Sequence, residues 1–102
     1  MSARKRRLTL RVDARFDLQE TLLYSQQRWG EVRRRRYRAQ LYKAMRSLLD
    51  YPESGRLRDE LFFGCRGLVV EQHVIYYHVT DDEIIIGRVL HSSQDETRTI
   101  AL

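Results

Sequence analysis

Few side chains of this chain are of the types that do chemistry, and their spacing limits what that chemistry could be. The three histidines, His73, His78 and His91, lack the paired and regularly spaced ligands that a zinc site requires. Cys65 is the only cysteine and lies in no recognisable nucleophile motif, so we expect it to be a packed strand residue. There is also no glycine-rich phosphate loop or dinucleotide fingerprint. The sequence therefore predicts no metal and no cofactor.

Arg88 and His91 lie three residues apart at the end of the β-branched run EIIIGRVLH. A basic group and a titratable group could therefore meet near the end of a sheet, where antiparallel folds can display a site. The alternative, which we favour for an isolated histidine, is that His91 is a structural cap or hydrogen-bonding group. The carboxylates at 81–83 and 95–96 fit a hairpin turn and a polar tail, so we expect neither set to be a general acid and base pair.

The densest charge is the arginine run at 33–36, followed by Arg38. Consecutive side chains on a helix point about 100° apart, so these arginines cannot all face one ligand. A solvated helix face is the favoured interpretation, and partner or phosphate binding is the alternative. The basic cluster at 4–7 is similarly weak evidence for nucleic-acid binding.

Hydrophobic spacing predicts the elements of the first half. Residues 8–12, LTLRV, alternate as a half-buried strand does. Apolar residues then recur at spacings of three and four, which predicts a helix from Asp13, its N-cap, to Trp29, followed by a glycine. A second helical pattern begins at about Glu31 and stops before Pro52. The short connection predicts an antiparallel helical hairpin.

The second half is predicted to be sheet. After the loop YPESGR come three β-branched and aromatic runs, CRGLVVEQ, HVIYYHV and EIIIGRVLH, the last two joined by turn residues 80–82. The predicted fold is α+β, in the order β-α-α-β-β-β, with the N-terminal helical hairpin packed on one face of an antiparallel sheet. Tyr76 and Tyr77 point to opposite faces, so one should pack against the helices and the other should show its ring or hydroxyl on the open face.

Length and charge set the remaining limits. A chain of 102 residues is about one small domain, which we take to cover 1–102. Nineteen basic residues against 14 acidic residues give a net charge of +5, and arginine's planar fork suits carboxylates as well as phosphates, so an acidic partner is expected. No apolar run is long enough to span a bilayer and the N-terminus lacks the apolar stretch of a secretory signal, so we expect a cytoplasmic protein.

The C-terminal half resembles the ParE/RelE toxin superfamily. The matching features are Gly64 and Arg66, the strand HVIYYHV, the acidic turn at 81–82 and RVLH at 88–91. In the first half, a short strand, the segment DLQETLLYSQQRWG and a longer helix leading to YPESG are also where this superfamily places them. The resemblance covers nearly the whole chain and implies a toxin of a type II toxin–antitoxin system.

This superfamily contains two mechanisms. RelE-type toxins cleave messenger RNA in the ribosome, and their sheets carry lysine, arginine and a C-terminal tyrosine for acid–base chemistry and charge stabilisation. Here the strand CRGLVVEQ offers only Arg66, Val74 stands where arginine is usual, and the tail has no tyrosine. The resemblance therefore favours a non-enzymatic ParE-type toxin that binds DNA gyrase. The alternative is a RelE-like, ribosome-dependent endoribonuclease with Arg66, Arg88 and His91 as its catalytic residues.

The same resemblance implies the partners. A cognate ParD-like antitoxin would neutralise the toxin by wrapping a disordered acidic segment over its basic surface. Our partner-binding candidates are Arg66, Tyr77, Arg88 and His91. Direct nucleic-acid binding by the chain remains a less favoured alternative.

Overall fold

The computed structural model describes residues 5–100, so Arg4 of the basic N-terminal cluster lies outside the described residues. The elements of this range are β1 (Arg7–Leu10), α1 (Val12–Trp29), α2 (Glu31–Ser47), β2 (Arg56–Leu57), β3 (Arg66–Val70), β4 (His73–Val79), β5 (Glu83–His91) and α3 (Glu96–Ile100). The predicted helical hairpin and three-stranded meander are both present. Within residues 5–100, no helix is long and apolar enough to cross a membrane.

The strands form one sheet in the order β1-β5-β4-β3-β2. The pairs β2–β3, β3–β4 and β4–β5 are antiparallel, as predicted for the meander. However, β1 pairs in parallel with β5, with Leu8 opposite Ile84 and Leu10 opposite Ile86. The sheet is therefore mixed, and the prediction of a wholly antiparallel sheet was wrong at this pair. The meander leaves the outer edge of β5 free, and β1 occupies that edge before the chain crosses over through the helical hairpin.

The hairpin covers one face of the sheet and forms the main core. Leu41, Met45 and Leu48 near the end of α2 are fully buried, as are Ile75 and Ile86 on the sheet. Full burial of such a side chain contributes about 1.5–3 kcal/mol relative to leaving it exposed. The stripe of leucines at helical spacing therefore fixes which side of each helix faces the sheet.

The opposite face of the sheet is also covered. Tyr76 is buried there beside Leu61, Cys65 and Leu90. The expectation that the tyrosine opposite the helices shows its ring or hydroxyl on an open face was therefore wrong. Burial raises the pKa of the Cys65 thiol to about 11, which fits a packed, unreactive cysteine.

Of the two segments that cover this second face, one was assigned to no helix, strand or loop except for Cys65, and the other was predicted as a polar tail. Residues 58–65 and the short helix α3 supply the cover, with Ile100 packed against the buried cluster. Arg58 joins the two segments, because its guanidinium donates to Glu60 at 2.6 Å and to Glu96 at 2.9 Å. The tail is thus partly helical and held in place by an ion pair.

The junction of the hairpin requires glycine for its backbone. Gly30 has a φ of 94°, in the left-handed region, and a Cβ added there would meet nothing within 4 Å. The conformation, rather than the space, therefore excludes other residues. At the start of α1 the N-cap position is Arg11, so Asp13 lies in the first helical turn and is not the predicted N-cap.

Candidate functional site

A cleft of about 580 Å³ lies between the helical hairpin and the end of the sheet where β4 begins and β5 ends. Thr21 and Tyr24 of α1 and Tyr37 of α2 form its helical wall, while His73 and His91 form its sheet wall. Trp29 and Arg33 lie at the tip of the hairpin and line the mouth of the cleft. Glu20 and Glu71 are also among the charged residues that line the cleft.

Tyr37 and His73 join the two walls. The Tyr37 hydroxyl lies 2.6 Å from Nδ1 of His73 and donates to the carbonyl of Val70 at 3.1 Å. With the phenol donating to Val70, Nδ1–H of His73 donates to the phenol oxygen, and Nε2 lies 3.4 Å from the Thr21 hydroxyl. Burial, with a smaller contribution from His91, lowers the pKa of His73.

Burial also changes the chemistry of Tyr37. It raises the pKa of the phenol to about 12, with a further contribution from the charge of Glu71. A phenol with such a pKa stays protonated near neutral pH. Tyr37 is therefore suited to holding the helix against the β3–β4 turn and is a poor general base.

His91 lies edge-on to His73, with 5.2 Å between the ring centroids. Its Nδ1 accepts from the backbone N–H of Ser93 at 3.0 Å, and its Nε2 lies 3.3 Å from Oε1 of Gln72. Its own backbone N–H donates to Gln94 at 2.7 Å. Both ring nitrogens thus have partners, which is the hydrogen-bonding role that the sequence offered as the alternative for His91.

Arg88 is held by α1 rather than by another group of the sheet. Its guanidinium donates twice to Asp17, at 2.8 and 2.9 Å, and the same carboxylate accepts the backbone N–H of Val89 at 2.9 Å. Because β1 ends at Leu10, opposite Ile86, no strand lies along the outer edge of β5 beyond that point, while β4 pairs with its other edge. The Asp17 carboxylate accepts the Val89 N–H, as a carbonyl of a neighbouring strand would. The ion pair raises the pKa of Arg88 further above its usual value.

Arg66 and Tyr77 are cross-strand partners that both hold the loop before β2. The phenol of Tyr77 donates to the Pro52 carbonyl at 2.7 Å and accepts the Gly55 N–H at 2.9 Å. Arg66 donates to the Gly55 carbonyl at 2.8 Å. Tyr77 is 0% exposed, so it cannot form part of a partner-binding surface in this conformation, contrary to the expectation from the sequence.

Comparison with known proteins assigns the family. The model of the "ParE toxin of type II toxin-antitoxin system, parDE" matches residues 8–96. The chain belongs to the ParE toxin family. Toxin ParE1 of Caulobacter vibrioides (strain ATCC 19089 / CIP 103742 / CB 15) is 33% identical over 82 residues, which cover 80% of this chain and 84% of that protein.

A solved structure agrees with the fold. The chain described as "Chromosomal ParDE TA system from P. aeruginosa" matches with a TM-score of 0.74, covering 85% of this chain and 96% of that one. The sequence identity is 19%, so this match concerns the fold. It confirms the predicted α+β architecture with its N-terminal helical hairpin.

In this ParE-family chain, the four candidate residues do not form one site. Arg66 lies opposite Tyr77 and His91 lies opposite His73. Arg66 and His91 are therefore offset by four residue positions of β4, or about 13 Å along the strand. Arg88 lies between them but is bound to Asp17. Within residues 5–100, no group of three or more histidine, cysteine or carboxylate side chains could hold a metal ion.

The sequence reasoning missed most of the cleft. Trp29, Val32 and Tyr37 were predicted only as residues of the two helices. The structure leaves Trp29 55% exposed and Val32 64% exposed. Their position beside Gly30 was the available signal, because residues at the tip of a hairpin extend beyond the sheet that would bury them.

Proposed function

We propose that this ParE-family toxin inhibits DNA gyrase by direct protein contact, without cleaving RNA, and that a cognate antitoxin neutralises it by placing a segment in the cleft. Gyrase is proposed as the target because the chain belongs to the ParE family. The absence of RNA cleavage is argued from the separation of Arg66, Arg88 and His91. The observation that supports the second part is the set of exposed aromatic side chains at the cleft mouth.

An RNA-cleaving site would need its groups around one phosphate. A general base and a general acid must each come within hydrogen-bond distance of atoms of the same scissile group. Arg66 and His91 are separated by about 13 Å along β4. Each of the three candidates also has protein partners: the loop carbonyl of Gly55 for Arg66, Asp17 for Arg88, and Gln72 with Ser93 for His91. These contacts favour a scaffold role for all three.

The cleft has the features of a groove for a protein segment. Tyr24 is 62% exposed and Trp29 is 55% exposed, and both line the cleft. Exposed aromatic residues beside a concave surface are the usual anchors of an interface. On the outer side of α1, Phe16 and Leu23 are also exposed and extend the apolar surface. A segment that folds on binding could lay its apolar face here, in the helix-in-groove manner.

Charge supports a partner that is acidic. Arg28 of α1 and Arg33 of α2 lie over the Trp29 ring at the cleft mouth, at 5.3 and 5.0 Å from its centroid. Acidic residues flanking the apolar anchors of an antitoxin segment would meet these guanidinium groups at the rim, where charge increases the association rate and the specificity.

The target is tested with purified toxin in two assays. We expect inhibition of gyrase-catalysed supercoiling, and intact messenger RNA on translating ribosomes. His91→Ala should inhibit gyrase as the parent does. The proposal is refuted by ribosome-dependent RNA cleavage that disappears in His91→Ala.

The antitoxin contact is tested with the double substitution Tyr24→Ala/Trp29→Ala. Removing two interface anchors should weaken binding of the antitoxin encoded in the neighbouring reading frame by at least about 100-fold, measured by calorimetry. The matched control is Phe63→Ala, because Phe63 is 93% exposed and does not line the cleft. Equal affinity of the double variant and the control would place the antitoxin elsewhere.

A further inference from the structure

The net positive charge of the helix α2 is larger than the net charge of the whole chain. Seven of its 17 residues are basic and one, Glu31, is acidic, which gives +6 against +5 for all 102 residues. Only Arg33 and Tyr37 of this helix line the cleft. The proposed toxin activity gives no role to the other basic side chains of α2.

The charges concentrate on the side of α2 that faces away from the protein. At 3.6 residues per turn, four exposed cations fall within an arc of about 100°, opposite the buried residues Leu41 and Met45. They extend over about 16 Å of helix. We call this surface the α2 basic face, formed by Arg35, Arg36, Lys43 and Arg46.

The α2 basic face has almost no internal counter-charge. Glu31 forms a close ion pair with Arg34 at 2.8 Å and a looser one with Arg35 at 3.9 Å. Among residues 5–100, no carboxylate forms an ion pair with Arg36, Lys43 or Arg46. Like charges on neighbouring turns destabilise a helix slightly, so an anionic ligand would relieve their repulsion.

The composition of this face distinguishes a polynucleotide from a protein ligand. Protein interfaces need a desolvated apolar core, whereas protein–DNA interfaces are much more positively charged. Only Val32 and Ala39 lie between the cations of the α2 basic face. The exposed aromatic anchors that a protein segment would need lie instead on α1 and around the cleft.

The aromatic residue of α2 next to this face, Tyr42, favours a duplex over a single strand. Arg38 lies over its ring at 4.8 Å from the centroid. A ring occupied by a guanidinium group does not provide the stacking platform that single-strand binders use. We propose that the α2 basic face binds the phosphate backbone of duplex DNA without reading its sequence. This proposal is independent of the gyrase and antitoxin contacts.

The test measures binding of the purified chain to a labelled 20-base-pair DNA by fluorescence anisotropy at several salt concentrations. Four phosphate contacts predict a slope of log K against log salt of about −3 to −4, or roughly 100-fold weaker binding at 200 mM than at 50 mM salt. In Arg36→Ala/Lys43→Ala/Arg46→Ala, the slope should become shallower by about three units.

A matched control distinguishes the effect of the α2 basic face from the effect of net charge alone. Arg11→Ala/Arg56→Ala/Arg98→Ala removes the same three charges from exposed positions outside α2. It should keep the parent slope to within about one unit. Equal losses in the two triple variants would overturn the proposal. So would tighter binding of single-stranded DNA, duplex RNA or a poly-glutamate peptide than of duplex DNA at the same salt.

A second variant guards against a folding defect. Arg36→Lys/Arg46→Lys preserves the charges and should preserve the slope, whereas a loss of slope would show that the charge of this face is not what binds. Circular dichroism melts of all variants establish that they are folded. Alanine is the better helix former, so the α2 triple variant should retain its helix content.

Discussion

Replacing Asp17 by alanine removes the contact that closes the free edge of β5. The carboxylate accepts two hydrogen bonds from Arg88 and one from the Val89 N–H, and the side chains of Asp17 and Arg88 are 11% and 24% exposed. Breaking a fully buried pair costs about 3–5 kcal/mol, and an exposed pair contributes about 0–1 kcal/mol. Because solvent screens Arg88 in part, we expect Asp17→Ala to lower the free energy of unfolding by about 2–3 kcal/mol.

The assay is urea unfolding, with the melting temperature as a second measure. For a domain of this size, each kcal/mol lowers the melting temperature by about 4–8 °C, so the variant should melt roughly 8–24 °C lower. The double-mutant cycle with Arg88→Ala should give a coupling energy of about 1–3 kcal/mol. Asp17→Asn should be milder, because its amide oxygen can still accept the Val89 N–H.

An exposed pair of similar geometry provides the control. Arg34 donates to Glu31 at 2.8 and 3.0 Å, but the Glu31 side chain is 47% exposed, against 11% for Asp17. Glu31→Ala should leave the urea midpoint unchanged within error. If Asp17→Ala were as mild as Glu31→Ala, or if 1 M salt removed its effect, the Asp17–Arg88 pair would be an ordinary surface ion pair and the reasoning would fail.

Two further predictions concern groups inside the structure. Tyr77→Phe removes the hydrogen bonds to Pro52 and Gly55 and should lower the free energy of unfolding by urea by about 1–3 kcal/mol. Hydrogen exchange should increase mainly in the loop before β2. Unchanged exchange in this loop would contradict the role of Tyr77 in holding it. The lowered pKa of His73 means that the folded state binds fewer protons than the unfolded state. Stability should therefore be full above the unfolded pKa of about 6.5 and fall as the pH drops through the lowered folded pKa. His73→Gln should flatten this part of the pH profile, and a parallel profile would identify His91 or another group as its source.

Local spacing was sufficient to predict the helical hairpin and the strands β1, β3, β4 and β5, but it predicted neither β2 nor α3. The runs HVIYYHV and EIIIGRVLH became strands with the predicted bounds, and Gly30 separates the two helices as its position indicated. The parallel pairing of β1 with β5 could not be predicted, because the two strands are more than 70 residues apart and alternation does not give direction. The cover over Tyr76 was missed because residues 58–65 have no regular hydrophobic period.

The candidate site was predictable only in part. The sequence pointed to His91, but the groups around it come from distant parts of the chain. Tyr37 reaches His73 across 36 residues, and Thr21 reaches it across 52. Such contacts depend on how the helices cross the sheet, which the apolar stripes constrain only by face. The residues chosen through the superfamily resemblance were conspicuous because of their type, and the structure assigns them other partners.

The size of the domain explains why those residues have structural partners. A chain of 102 residues buries a smaller fraction of its surface than a larger domain and has correspondingly little apolar burial to hold its loops and edges. Here Tyr77 and Arg66 hold the loop before β2, and Asp17 with Arg88 closes the edge of β5. These contacts hold the strand residues in place. The two helices, by contrast, present aromatic and basic side chains to solvent, so we propose that the partner contacts lie on the hairpin.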